Sequence, residues 1–408
     1  MSKILEFKKD IPIKFAVRSK NIEFGQKKNG DISRKQIAVI VLKNDKNGKE
    51  IIHFLTDFIL YRWSTRSYNT MRNHAKNIVS FLNYILKNND KLKIYSLSEL
   101  DFIHGTEYLN HLTIEGKKRI TVKSAERSLT EFYLFLSKRK IINIDVEKFE
   151  MKPHDYYKNT SYYTSPFIGV IMPRQKKTQM LHKIPFIYIL RFLEIAVREA
   201  NPIALGVYMQ IFGGIRIGEI VNITRSSIFP LDPYCMEGLM VDLNYQGLRY
   251  DLKDSSGANH VKKPREQLVL GFRDWLKTLY TEHTKNYTSY TTDALFINRD
   301  GKAMSGQSYR YHFSKVKQHF INDLLSSSNP TDRTTAMKLI SSKWSTHIGR
   351  GIFTNLIAEN ASNLQEIVLM RGDSNYESSL TYLANTERMK KKLEDYLDGL
   401  YGKEIPKL

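Results

Sequence analysis

Two stretches in the first half of the chain place apolar residues at helical spacing. Met71, Ala75, Ile78, Leu82 and Ile85 step by 4, 3, 4 and 3, which is one face of a helix, and Ser67 or Asn69 stands where its cap belongs. Val122, Ala125, Leu129, Phe132 and Leu136 step by 3, 4, 3 and 4, with Lys123, Arg127 and Lys138 largely off the stripe. Between them, Ser96 to Leu112 reads as another helix behind its Ser-Leu-Ser-Glu start. These predict a helical domain over 51–150 with a basic exterior. Ahead of it, residues 1–50 read as a small basic β-rich module. Strands are expected at Ile11–Val17 and Ile37–Leu42, with turns at Lys28–Asp31 and Asn44–Gly48.

Residues 151–182 show no clean period. They hold Pro153, Pro166 and Pro173, four tyrosines from Tyr156 to Tyr163, and the run Arg174-Gln175-Lys176-Lys177. This reads as an extended basic linker between domains. A second domain is expected over 183–408. Phe186, Leu190, Leu193 and Val197 mark its first helix, entered at Pro185. Ala204–Phe212 reads as buried, and short strands are expected at Leu239–Leu243, Leu248–Leu252 and Gln267–Leu270. Helices follow at about 305–325, 347–360 and 363–370. A tail helix carries Met389, Leu393, Tyr396 and Leu400, with Arg388, Lys390, Lys391 and Lys392 opposite. The predicted class is mainly α with a small β-sheet (α+β).

Charge adds the first functional clue. Among 408 residues, 63 Lys and Arg stand against 42 Asp and Glu, a net +21. That length suggests two or three domains, and that charge argues for a polyanionic partner. The cations are dispersed and mixed with 24 Tyr and 20 Phe, which suits a nucleic acid better than a membrane surface. No stretch approaches the roughly 20 apolar residues of a membrane span, and the first residues lack a signal-peptide core. Cys235 is the only cysteine, so an intrachain disulfide and a Cys-based zinc site are excluded and a reducing cytoplasm fits. His260, His283, His312 and His319 show no ligand spacing with acids, so no metal or other cofactor is expected.

Three segments carry candidate chemistry. The first is Gly213-Gly214-Ile215-Arg216-Ile217-Gly218-Glu219-Ile220. The second is His347-Ile348-Gly349-Arg350 ahead of an apolar helical run. The third is Gly372-Asp373, then Ser378-Ser379-Leu380-Thr381-Tyr382. Singly, each has a plain reading: an arginine after Gly-Gly usually caps or lies on the surface, and a tyrosine in a polar helix start usually packs. In this order and at these spacings they resemble the tyrosine recombinases, the phage integrases and their relatives. The likeness covers about 183–400, and the helices of 51–150 are similar to that family's core-binding domain.

The resemblance implies a DNA strand transferase. Tyr382 would attack phosphorus and form a 3′-phosphotyrosine. Arg216 and Arg350 would hold the non-bridging oxygens, and His347 would take the phenol proton. A lysine near a β-hairpin would protonate the leaving 5′-oxygen. Lys253, before the return strand Pro264–Leu270, is the first candidate, with Lys262 and Lys263 as alternatives. The implied partners are specific double-stranded DNA sites, further copies of the chain in a tetramer joined by tail-helix exchange, and accessory DNA-bending or directionality factors. The setting implied is a bacterial, nucleoid-associated mobile-element integrase or transposase. The 1–50 module would bind arm-type sites. Asp373 departs from the family, which has His or Trp there, and an ionised Asp only accepts hydrogen bonds. Gly349 and Arg371 are milder departures. A DNA-binding accessory protein on the same fold, or a topoisomerase or resolvase, are the alternative readings.

Overall fold

The computed structural model describes residues 13–26, 32–153, 161–175, 180–249, 251–252 and 257–372. Its contacts divide the chain into two compact units, with the boundary between Lys177 and Thr178 and a short piece around Leu252 grouped with the first.

The first unit opens with an antiparallel sheet of β1 (Ile13–Gln26), β2 (Ile32–Asn44) and β3 (Glu50–Ile52), in that order. The expected first strand proves longer. Pairing with β2 carries it past the polar run at Arg18–Asn21 to a register shift between Glu23 and Gly25. The Asn44–Gly48 turn forms, and the Asn44 Oδ1 accepts from the Lys46 N–H at 2.9 Å. The Lys28–Asp31 turn lies outside the described residues, except that β2 begins just after it. Behind the sheet come α1 (Thr56–Trp63), α2 (Tyr68–Leu92), α3 (Phe102–Ile114) and α4 (Arg119–Lys138).

Both expected stripes are fully buried, and Ser67 caps α2. Lys117, Lys118, Lys123 and Arg127 lie exposed at or near the start of α4. The helix expected over Ser96–Leu112 is instead two pieces. Ser96 caps one 3-10 turn, Leu97–Glu99, and Asp101 then caps α3 afresh. The β-strands do not stand apart as a module. Phe15, Val17 and Ile37–Val41 share one core with Phe58, Met71, Ile78 and Leu129. Asn83 of α2 also bonds both the N–H and the C=O of Phe15, at 2.8 and 3.0 Å, which satisfies that part of the sheet edge.

Much of the expected linker also belongs to this unit. A hairpin of β4 (Met151–Pro153) and β5 (Ser161–Tyr163) precedes Phe167, which enters the core against Gly105, Phe102 and Tyr133. The chain then runs along α3. Thr106 donates to the Ile168 carbonyl, Asn110 to the Gly169 carbonyl, and Thr113 to the Ile171 carbonyl; Asn110 also accepts from the Ile171 N–H. Proline and tyrosine content signalled irregular backbone, but not that side chains of α3 would hold it.

The second unit begins with α5 (Ile189–Ala200) behind a 3-10 turn. Its buried face is Ile189, Phe192, Leu193, Ala196 and Ala200; Leu190 and Val197 of the expected stripe are exposed. Arg191, within that helix, bonds Asp332 at 2.7 Å and also Asp323. Helices α6 (Ala204–Phe212) and α7 (Ile217–Ile220) lead to a sheet of β6 (Ile228–Pro230), β7 (Gly238–Leu243) and β8 (Arg265–Leu270). The expected strand Leu248–Leu252 is absent among its described residues. β8 pairs with β7 from Gly238↔Leu270 to Leu243↔Arg265 and β6 takes the other edge of β7, so β7 is paired on both sides without it. Next come α8 (Trp275–Asn286), α9 (Gly306–Leu325), α10 (Pro330–Ser341), α11 (His347–Asn360) and α12 (Leu364–Arg371). α8 and α10 carried no clear stripe in the sequence. Among the described residues no helix is long and apolar enough to cross a membrane. The tail helix lies outside the described residues.

Phe167→Ala empties a buried aromatic site between α3 and α4. We expect the first unit to lose about 3 kcal/mol in denaturant unfolding, with faster proteolysis between residues 164 and 175.

Candidate active site

The first segment is a turn built to present an arginine. Helix α6 is buried almost throughout and stops at Gly213. Gly214 has φ +62, and a Cβ there would lie 2.3 Å from the Phe353 ring, so only glycine makes this reversal. Ile215 is fully buried, which leaves Arg216 at the N-cap of α7 with its backbone N–H bonded to Glu219 at 2.8 Å. The three-residue spacing read in the sequence therefore lets the Glu219 carboxylate close the start of α7. Glu219 also accepts from Arg216 Nη1 at 3.2 Å and is 1% exposed. Arg265 of β8 grips both its oxygens, at 2.7 and 3.1 Å. Burial pushes the Glu219 carboxyl up. The Arg265 hydrogen bonds and the charges of Arg265 and Arg216 outweigh that and hold it below the usual range.

The second segment starts α11. Gly349 and Gly351 flank Arg350, and both are bare for a steric reason. A Cβ at Gly349 would sit 2.6 Å from the Gln210 Cβ of α6; at Gly351 it would sit 1.8 Å from the His182 carbonyl oxygen. No larger side chain would fit at 349 with Gln210 in place. This close approach takes Arg350 to 1% exposure. Its guanidinium donates from Nη1 to the Gly214 carbonyl and from Nη2 to the Arg371 carbonyl at 3.0 Å. One buried side chain thus joins the first two segments to the residue just before the third.

The third segment is described as far as Gly372. Arg371 ends α12 and is itself 1% exposed. Gln267 Nε2 donates to the Met370 carbonyl at 2.8 Å, and Arg265 Nε donates to Gln267 Oε1 at 2.9 Å. Gly372 has φ +61 and leaves space for the Arg265 stem, which a Cβ would strike at 2.3 Å. A path of hydrogen bonds runs from Met370 through Gln267, Arg265 and Glu219 to Arg216.

His347 keeps an exposed side chain at the first turn of α11. Desolvation by the surrounding protein lowers its pKa, and the charges of Arg216, Arg310 and Arg350, then His182, lower it further. The ring is therefore neutral at neutral pH and able to accept a proton. His182 is lowered by burial and by Arg371. It belongs to the stretch after the linker, where Leu181 N–H bonds the Lys343 carbonyl at 3.0 Å.

The loop between β7 and β8 is anchored in its middle. Asn222 donates to the Gly218 and Asn259 carbonyls, at 2.8 and 2.9 Å, and Asn259 accepts from the Gly306 N–H at 2.7 Å. Lys262 and Lys263 are exposed just beyond that anchor, ahead of Arg265. Among the described residues no cluster of His, Cys, Asp or Glu is placed to hold a metal ion.

No protein-family model matches the chain, and no curated protein is similar to it in sequence. Solved structures are similar in fold. A variant of the Tn1549 transposon integrase, in complex with a circular intermediate DNA, is 14% identical; the match covers 83% of this chain and 98% of that one, with a TM-score of 0.51. The XerH site-specific recombinase, in a post-cleavage complex with palindromic difH substrate, is 16% identical. That match covers 82% of this chain and 80% of XerH, again with a TM-score of 0.51. Both are tyrosine recombinases.

The chain has the tyrosine-recombinase fold. Within that fold the described residues bring together Arg216, His347, Arg350 and the third segment up to Gly372. Lys253, Asp373 and Tyr382 lie outside the described residues. Sequence reading missed the roles of Arg265 and Gln267. Their spacing of two on one strand, a polar pair on a face that should be apolar, was the available signal. It gave no sign of His182, which lies far from the motifs along the chain.

Glu219→Gln keeps the shape and removes the charge that two guanidinium groups face. We expect a loss of about 3 kcal/mol in denaturant unfolding at pH 7. The folded-state pKa of Glu219 is depressed, so its contribution is present above the ordinary carboxylate range and is lost as pH falls through the lowered value. The gap between wild type and variant should close in that acid window.

Proposed function

We propose that this chain is a site-specific DNA recombinase, the integrase or transposase of a mobile genetic element. It would cleave and rejoin double-stranded DNA through a 3′-phosphotyrosine. The observation that carries this reading is Arg350, buried yet bonded to backbone of the first segment and of the residue just before the third, beside Arg216 and a neutral His347. The tyrosine-recombinase fold and the net charge of +21 support it.

In this reading the Tyr382 oxygen attacks phosphorus and the bond from phosphorus to the 5′-oxygen breaks. The phenol proton passes to His347, whose lowered pKa leaves it free to accept. Arg216 and Arg350 face the charge that builds on the non-bridging oxygens, with Glu219 holding Arg216 in place. A lysine gives the leaving 5′-oxygen its proton. Lys253 is the first candidate; Lys262 and Lys263, next to the Arg265 anchor, are the alternatives. The reverse attack by a second 5′-hydroxyl rejoins DNA without an external energy source. Paired sites call for several copies, a tetramer joined through the tail helix, with accessory DNA-bending or directionality factors. A bacterial cytoplasm, at the nucleoid, is the setting.

The Tn1549 integrase solved on circular-intermediate DNA and XerH solved on difH after cleavage are consistent with such a substrate. The test uses a nicked duplex selected from random sequence for tight binding to the full chain. Wild type should leave a protease-sensitive DNA–protein adduct on a denaturing gel, and Tyr382→Phe should leave none. An adduct that persists in Tyr382→Phe refutes the nucleophile. No adduct from wild type favours a DNA-binding accessory role.

The lysine is assigned by chemistry. A bridging 5′-sulfur leaves without a proton, so it should restore cleavage to the Ala variant of the true donor among Lys253, Lys262 and Lys263. Variants at the other two should show no such selective rescue.

A further inference from the structure

This inference rests on the recombinase reading and adds a residue to its site. Helix α9 starts close to the second segment. Asn259 holds its first turn, accepting from the Gly306 N–H and donating to Gln307 Oε1 at 3.2 Å. Gly306 is bare because a Cβ would lie 2.2 Å from the Ala258 carbonyl oxygen. Tyr309 is fully buried, and its hydroxyl donates to Gln210 Oε1 at 3.1 Å. Gln210 is also the residue against which Gly349 packs. Tyr309 of α9 and Gly349 of α11 therefore touch one side chain, and the next residue on each helix is an arginine.

The two arginines differ in what holds them. Arg350 is buried and donates to two carbonyls. Arg310 is exposed, and no carboxylate or carbonyl among the described residues takes its guanidinium. Its charge reaches His347. Beyond it on α9, Tyr311 is exposed with the Lys315 ammonium 5.0 Å from its ring centre, so the cationic surface continues. A guanidinium left open beside the proton acceptor is placed to take an anion, and it brings five donors in a planar fork.

We propose that Arg310 is a further catalytic residue, which grips the scissile phosphate from the solvent side. Arg216 shares its charge with Glu219, whereas Arg310 faces the phosphate with no counter-ion among the described residues. It transfers no proton. It holds a non-bridging oxygen as charge develops there.

The test compares wild type, Arg310→Ala and Arg310→Lys on the nicked duplex, reading adduct rate and DNA affinity separately. Arg310→Ala should form the adduct about 100-fold more slowly with affinity within about threefold, and Arg310→Lys should recover part of the rate. On a duplex with an uncharged methylphosphonate at the cleaved position, the gap between wild type and Arg310→Ala should shrink to a few-fold. A rate within threefold of wild type on the natural phosphate overturns the assignment. So does a loss lying wholly in affinity, or a gap unchanged by the methylphosphonate. If unmutated chain forms no adduct, the recombinase reading falls and takes this one with it; the assignment alone fails only when wild type cleaves.

Discussion

The site depends on burying one arginine. A guanidinium out of water is costly unless its donors find acceptors. Arg350 meets part of that demand through Nη1 and Nη2, which donate to the carbonyls of Gly214 and Arg371, groups that a turn and a helix end leave open. The backbone solution fixes where three distant parts of the chain meet. Gly349 and Gly351 are what let α11 come close enough, because any side chain at either position would strike α6 or the stretch before α5. One apparent departure from the motif thereby acquires a cause: Gly349 gives way to Gln210.

Around that buried cation the protein gathers more of the same sign. Arg216, Arg310, Arg371 and two histidines lie near it, and Glu219 is the buried carboxylate that answers them. Repulsion among them is relieved partly by keeping the histidines neutral. What remains is an excess of fixed guanidinium charge, the condition a phosphate oxyanion needs. The Glu219–Arg265–Gln267 path ties that charge to the end of α12, just before the segment that carries Asp373 and Tyr382. Three side chains thus connect the last turn of α12 to Arg216.

The first unit solves a different problem. Its sheet edge and its long proline-bearing stretch both present backbone groups that need partners. Asn83 serves the first; Thr106, Asn110 and Thr113 serve the second. Phe167 then anchors the stretch in the core.

The helical stripes at 71–85 and 122–136 were legible because a buried helix face repeats every three to four residues and needs no information from elsewhere. The cap at Ser67 and the Arg216–Glu219 spacing were legible for the same reason: each is settled within a few residues. The order Arg216, His347, Arg350, Tyr382 pointed to one family, and the fold is that family's. Features that need two distant segments were beyond the sequence. The missing strand at Leu248–Leu252 turned on which strand β7 would pair with. The face of α5 turned on what packs against it, so Leu190 and Val197 came out exposed. The pairing of Arg265 with Glu219, the depth of Arg350 and the nearness of Arg310 and His182 to His347 depend on side chains meeting across loops of many residues. Local periodicity records whether a residue is apolar; only the packed chain decides which charged groups share one small volume, because their pairing energy exists only once water is gone.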